Sequence, residues 1–107
     1  MNVDDFQRLV RNYTEDNILT DDPHVGMRCE ENSITVDDVK RMILYESSKL
    51  IRLVEDRPQV YKLYYRLSRR QELKVVIDLF THQKVNIRTV KRLTSTFKLG
   101  FIRERRF

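Results

Sequence analysis

Apolar positions in this chain recur at helical spacing over roughly the first 45 residues and alternate with polar ones thereafter. Phe6, Leu9, Val10 and Tyr13 fall on one face of a helix expected from Val3 to Leu19. Asn2 suits its N-cap, and Asp4 and Asp5 suit the positive end of its dipole. Thr20-Asp21-Asp22-Pro23 ends it, since a proline disfavours helical geometry at the residue before it. A second helix is expected from Pro23 to Glu31, with Asp22 as cap, and His24 and Arg28, four apart, share one of its faces. Asn32-Ser33 breaks the pattern. Thr35 then caps a third helix, with Asp38 three residues on. Val36, Val39, Met42 and Ile43 form its apolar stripe.

After Ser47-Ser48 the period drops to two. Lys49 to Val54 reads as a short strand and Glu55 to Pro58 as a turn. In Gln59 to Leu67 the alternation puts Tyr61, Leu63, Tyr65 and Leu67 on one face and Val60, Lys62, Tyr64 and Arg66 on the other. Ser68 to Gln71 is a hairpin turn. Glu72 to Phe80 is the most apolar strand, with Leu73, Val75, Ile77 and Leu79 inward. Val76 and Phe80 predict a central strand partly covered on both sides. Thr81 to Lys84 turns into a last strand, Val85 to Val90, with Val85 and Ile87 inward. Helices followed by a meander of four strands define an α+β fold. No repeat divides the chain, and the 17 residues from Lys91 fit neither period.

Composition narrows the class. A chain of 107 residues holds one domain with one core. Only 2 Gly and 2 Pro argue against disorder. The single cysteine, Cys29, has no internal partner, as expected in a reducing compartment. No apolar run is long enough to span a membrane, and the acidic N-terminus lacks a signal core, so a cytoplasmic location is expected.

The charge is sharply divided. Residues 1–56 carry 7 Lys/Arg and 13 Asp/Glu, whereas residues 57–107 carry 14 and 3. A basic half of this kind calls for RNA or another polyanion, or for an acidic protein. On the strand faces given above, Lys62, Tyr64 and Arg66 project from one surface. Arg69 and Arg70 extend it at the hairpin tip, and Asn86 and Arg88 add to it from the last strand; Lys91, just beyond that strand, is a further candidate for binding nucleic acid. Cations meet phosphates and a tyrosine ring stacks on unpaired bases. The competing reading is a solvated sheet face whose cations guard its edges.

Other chemistry finds little support. His24, Cys29 and His82 lack the spacing of metal ligands, and no glycine-rich phosphate loop or cofactor motif occurs. Asp21-Asp22 and Asp37-Asp38 are explained by capping. The tail from Lys98 to Phe107 has two readings. It is a basic arm, or it packs Phe97, Phe101 and Ile102 onto a sheet of its own or a second subunit.

Residues 24–43, from His24 through Arg28, Asn32-Ser33-Ile34 and Val39 to Ile43, resemble a motif of an uncharacterised prokaryotic family placed beside the RelE/ParE-like toxins. That motif runs His-Ala-x-x-Arg-Met-x-x-Arg-Gly-Ile. His24, Arg28 and Ile34 fall at matching offsets, Val25 replaces Ala, and Asn32-Ser33 replaces Arg-Gly. Asn86-Ile87-Arg88-Thr89-Val90 is similar to the family's closing strand. The resemblance covers residues 22–90, leaving 1–20 as an added helix and 91–107 as a basic extension.

It implies helices packed on one face of a curved, mainly antiparallel sheet. It also implies kinship with messenger-RNA endonucleases and gyrase inhibitors, which acidic antitoxins restrain. Metal-independent RNA cleavage of that kind needs a base, a phosphate clamp and an acid. The resemblance offers a lysine or histidine as base, Arg66 or Arg88 as clamp and Tyr64 as acid, with His24 and Arg28 lining the cleft. The catalytic candidates are thus His24, Arg28, Tyr64 and Arg66. Alternatively, His24 and Arg28 only tie helix to strand. A second class of function is a non-catalytic interaction module, a homodimer or a binder of an acidic partner, assembled through complementary charge.

Overall fold

Three helices and five strands account for residues 1–94, the part that the computed structural model describes. In the first helix, α1 (Val3–Val10), the Asn2 side chain accepts the Asp5 N–H and the Asp5 carboxylate accepts the Asn2 N–H. The helix stops at Val10 and not at Leu19. Ile18 and Leu19 form instead a two-residue strand, β1 (Ile18–Leu19), parallel to the last strand, β5 (Lys84–Thr94), with Ile18 opposite Val85. Tertiary bonds override helical propensity here. The Tyr13 hydroxyl donates to the His82 carbonyl, and the Asn17 amide to the Gln83 carbonyl, each at 2.8 Å.

The second helix, α2 (Val25–Glu31), begins two residues after Pro23. Asp22 does not cap it; its carboxylate accepts the His24 N–H at 2.8 Å in a local turn. Helix α3 (Val36–Tyr45) opens as expected, with Thr35 and Asp38 capping each other reciprocally. The Thr35 hydroxyl, then Arg41, hold the Asp38 carboxyl below its ordinary range.

Between α2 and α3, Ser33 adopts φ 57°, in the left-handed region. This is the position at which the resembled motif carries glycine. Ser33→Gly is expected to raise stability by about 0.5–1 kcal/mol, because glycine enters this region without a Cβ clash. Chemical denaturation with an unchanged m-value would verify it, and a lower midpoint would refute it.

The sheet order is β1-β5-β4-β3-β2, antiparallel except at β1. The four expected strands are present, and β1 makes a fifth. The strand β2 (Leu50–Arg57) runs past Val54 through the expected turn. It reverses at Pro58-Gln59, where Gln59 has φ 69°. The strands β3 (Val60–Ser68) and β4 (Gln71–Thr81) follow, joined at Arg69-Arg70.

All three helices lie on one face. Phe6 and Val10 of α1, Val25 and Cys29 of α2, and Val39, Met42 and Ile43 of α3 share a core with Leu63, Leu73, Val75, Ile77, Val85 and Ile87. Each such aliphatic side chain, fully buried, contributes about 1.5–3 kcal/mol. Tyr65 is also in this core, 1% exposed. Burial pushes its phenol far above the ordinary range. Among the described residues no hydrogen bond reaches its hydroxyl. An unpaired buried hydroxyl costs about 1–3 kcal/mol, so Tyr65→Phe should leave the melting temperature unchanged or raise it. A clear drop would reveal a missed partner for the hydroxyl.

The opposite face carries no described element. Phe80, expected to help cover β4 there, is 63% exposed. The polar residue buried on that side is Asp78, which pairs with Arg88 at 3.1 Å. Strand β5 contains a bulge. Ile77 faces Ile87 and Val76 faces Thr89, leaving Arg88 as the extra residue. The strand continues to Thr94, so the stretch from Lys91 that fits neither period begins inside the sheet. The expectations for Phe97, Phe101 and Ile102 lie outside the described residues.

Beyond β1, a side chain closes the edge of β5. The Asn32 amide donates to the Val90 carbonyl at 3.2 Å, and its oxygen accepts the Arg92 N–H at 2.8 Å. Arg92 returns bonds to the carbonyls of Asn32 and Ser33. Asn32 thereby stands in for a strand residue and screens an edge that would otherwise invite pairing.

Candidate nucleic-acid interface

The register of the open face lays its side chains out in rows. Arg52 of β2 lies opposite Tyr64 of β3, Tyr64 opposite Lys74 of β4, and Lys74 opposite Lys91 of β5. One row therefore crosses four strands and carries three cations and a ring. With strands about 4.8 Å apart, it spans about 15 Å. The neighbouring rows are Val54, Lys62, Val76 and Thr89 on one side and Arg66, Glu72 and Leu93 on the other.

Counter-ions are unevenly placed. Arg52 reaches Glu72 at 3.5 Å, Lys62 reaches Asp56 at 3.5 Å, and Arg88 reaches Asp78. Among the described residues, no carboxylate lies within ion-pair distance of Arg66, Lys74 or Lys91. Lys74 and Lys91 face each other directly across two strands. Like charges so placed cost a few tenths of a kcal/mol or more, and nothing in the described fold compensates. The Arg52 guanidinium lies 4.1 Å from the centroid of the Tyr64 ring. The pair makes a layered, planar cation of the sort that stacks on bases.

The expected site residues divide into two groups. Lys62, Tyr64, Arg66, Asn86, Arg88 and Lys91 share the open face, with Arg69 and Arg70 at its hairpin tip. His24 and Arg28 stand apart. With Asp22, Arg88 and Thr89 they line a depression of about 360 Å³ at the β5 edge. Tyr64 and Arg66 lie two strands inward, about 10 Å across the sheet. There Asp22 Oδ1 is 3.3 Å from His24 Nδ1. The backbone N–H of His24, then its ring and the Arg88 charge, hold the Asp22 carboxyl below its ordinary range.

Sequence reasoning missed Lys74 and Arg52. The alternation of β4 already placed Lys74 opposite the Leu73–Leu79 face. Arg52 was obscured by an irregularity in β2, where the register shifts between Leu50 and Arg52. Among the described residues, no three His, Cys, Asp or Glu side chains converge as a metal site. None of the described helices is long and apolar enough to cross a membrane. Compared with known protein families, curated proteins and solved structures, the chain matches none.

Proposed function

We propose that the open sheet face binds single-stranded RNA, as a RelE/ParE-like protein that holds RNA without cutting it. The observation that carries this reading is the row Arg52–Tyr64–Lys74–Lys91, in which two opposed lysines have no counter-ion among the described residues. An extended strand can lay phosphates along the lysines and a base on the Arg52–Tyr64 platform, whereas the broad face of a five-stranded sheet does not enter a duplex groove. Cleavage by His24, Arg28, Tyr64 and Arg66 acting together is disfavoured. An acid and a base must both reach one phosphodiester, and these residues stand two strands apart.

The test is a gel of end-labelled single-stranded RNA with purified protein at low and moderate salt. A salt-sensitive shift without fragments is expected, and it should vanish in a folded Tyr64→Ala, Arg66→Ala double variant. Fragments that depend on these residues would instead establish a ribonuclease. A folded double variant that still binds as tightly would overturn the proposal.

A second reading has its own observation. Residues 1–49, the helical side, carry 6 Lys/Arg against 11 Asp/Glu, and residues 50–94, the sheet, carry 11 against 4. Self-association or capture of an acidic, antitoxin-like protein would use this complementarity and weaken with salt. Sedimentation at low salt decides the self-association branch, and a strictly monomeric protein would exclude it.

A further inference from the structure

We propose that the depression at the β5 edge is a binding site for a single phosphate group, separate from the lysine row. Three parts of the chain build it. The turn before α2 brings Asp22 and His24, the helix itself brings Arg28, and the β5 bulge brings Arg88 and Thr89. Arg28 lies one helical turn beyond His24, so both side chains leave the helix on the same side. The bulge supplies the third wall: it sets two consecutive residues of β5, Arg88 and Thr89, on the same face at the point where the depression opens.

The donors are free or oriented. Among the described residues, the exposed Arg28 guanidinium has neither a hydrogen bond nor an ion pair. Arg88 uses one terminal nitrogen on the buried Asp78 carboxylate, which fixes the guanidinium and leaves its other N–H groups available. His24 turns Nδ1 towards Asp22 and leaves Nε2 for a ligand. The Thr89 hydroxyl adds a neutral donor.

Two carboxylates oppose an anion here. Asp22 is on the rim, held by the His24 N–H and ring, and Asp78 lies beneath Arg88. The guanidinium groups of Arg28 and Arg88 balance these two carboxylates in formal charge, so the choice of ligand rests on how the donors are placed. The site therefore favours a compact, multiply charged oxyanion that can span two guanidinium groups, as a phosphate does. A monocarboxylate, with one charge on two coplanar oxygens, meets both arginines and His24 less fully than a tetrahedral phosphate with three or four oxygens.

Two sources supply such a group, a terminal phosphate of a nucleic acid and an internal phosphodiester. Inorganic phosphate is the probe, titrated into the full chain at constant ionic strength against chloride and followed by amide resonances. Saturable shifts confined to residues 22–28 and 88–89 are expected. Arg28→Gln should weaken binding about tenfold, the effect of one lost charge-assisted contact. Arg28 is exposed, so the variant should keep its melting temperature. Diffuse, unsaturable shifts, or an Arg28→Gln variant that binds as the parent does, would overturn the site.

Oligonucleotides with a 5′-phosphate and a 5′-hydroxyl separate the two sources. Preference for the phosphorylated one, lost in Arg28→Gln, identifies a terminal group; equal weakening of both identifies an internal one; no effect of the variant on either overturns the site. A Lys74→Gln, Lys91→Gln protein should bind inorganic phosphate normally. Failure of RNA binding on the open face therefore leaves this proposal standing or falling on its own.

Discussion

Lys74→Gln together with Lys91→Gln is expected to lower affinity for single-stranded RNA about 100-fold while leaving the melting temperature unchanged or slightly higher. The two effects have one origin. Facing each other across β4 and β5 without a described counter-ion, the lysines repel, and glutamine removes that repulsion at similar length. The same change deletes two phosphate contacts, each worth about 1.4 kcal/mol, or a factor of ten. The slope of log affinity against log salt should flatten by about 1.4, since each contact on a single strand contributes about 0.7. Fluorescence anisotropy over a salt series measures slope and affinity together. Unchanged affinity would remove the open face from consideration. A marked fall in melting temperature would show that the lysines serve the fold.

Asn32→Leu should produce the largest loss of stability among polar substitutions, about 2–3 kcal/mol, or a fall of about 10 °C or more in melting temperature. Leucine keeps the branching at Cγ, with a larger volume, but leaves the Val90 carbonyl and the Arg92 N–H without partners at the β5 edge. It also strips the Arg28 carbonyl of its side-chain bond at 2.8 Å. Asn32→Asp keeps an acceptor for the Arg92 N–H and loses both donations, so its melting temperature should lie between parent and leucine variant. If both variants melt with the parent, the amide does not close the edge.

Legibility in the sequence followed the regularity of the backbone. Strands β3 and β4 alternate without interruption, so the faces of Lys62, Tyr64 and Arg66 and of Leu73 through Leu79 could be read directly. In β5 the bulge at Arg88 shifts the phase. Strict alternation would send Lys91 to the helices and Val90 to solvent, and the structure does the reverse. β1 was invisible because two residues set no period, and Ile18 is held by Val85, far along the chain. Asn32 looked like a helix terminator. Its second role depends on a strand 58 to 60 residues away, for which no local signal exists. The candidate site was legible as a basic face but not as a row. Rows need register between strands, and register came from the turn at Pro58-Gln59 and the shifts in β2 and β5.

The division of charge between the two layers has a kinetic consequence. The helical side has a formal charge of −5 and the sheet side +7 over the described residues. The molecule thus has a permanent electric moment roughly normal to its sheet. In the field of an approaching polyanion, such a body experiences a torque before it makes any contact. It would arrive with the sheet turned forward, and a larger share of collisions would be productive than random tumbling allows. Raising the ionic strength shortens the range of that torque, so the association rate, more than the dissociation rate, would carry the salt dependence.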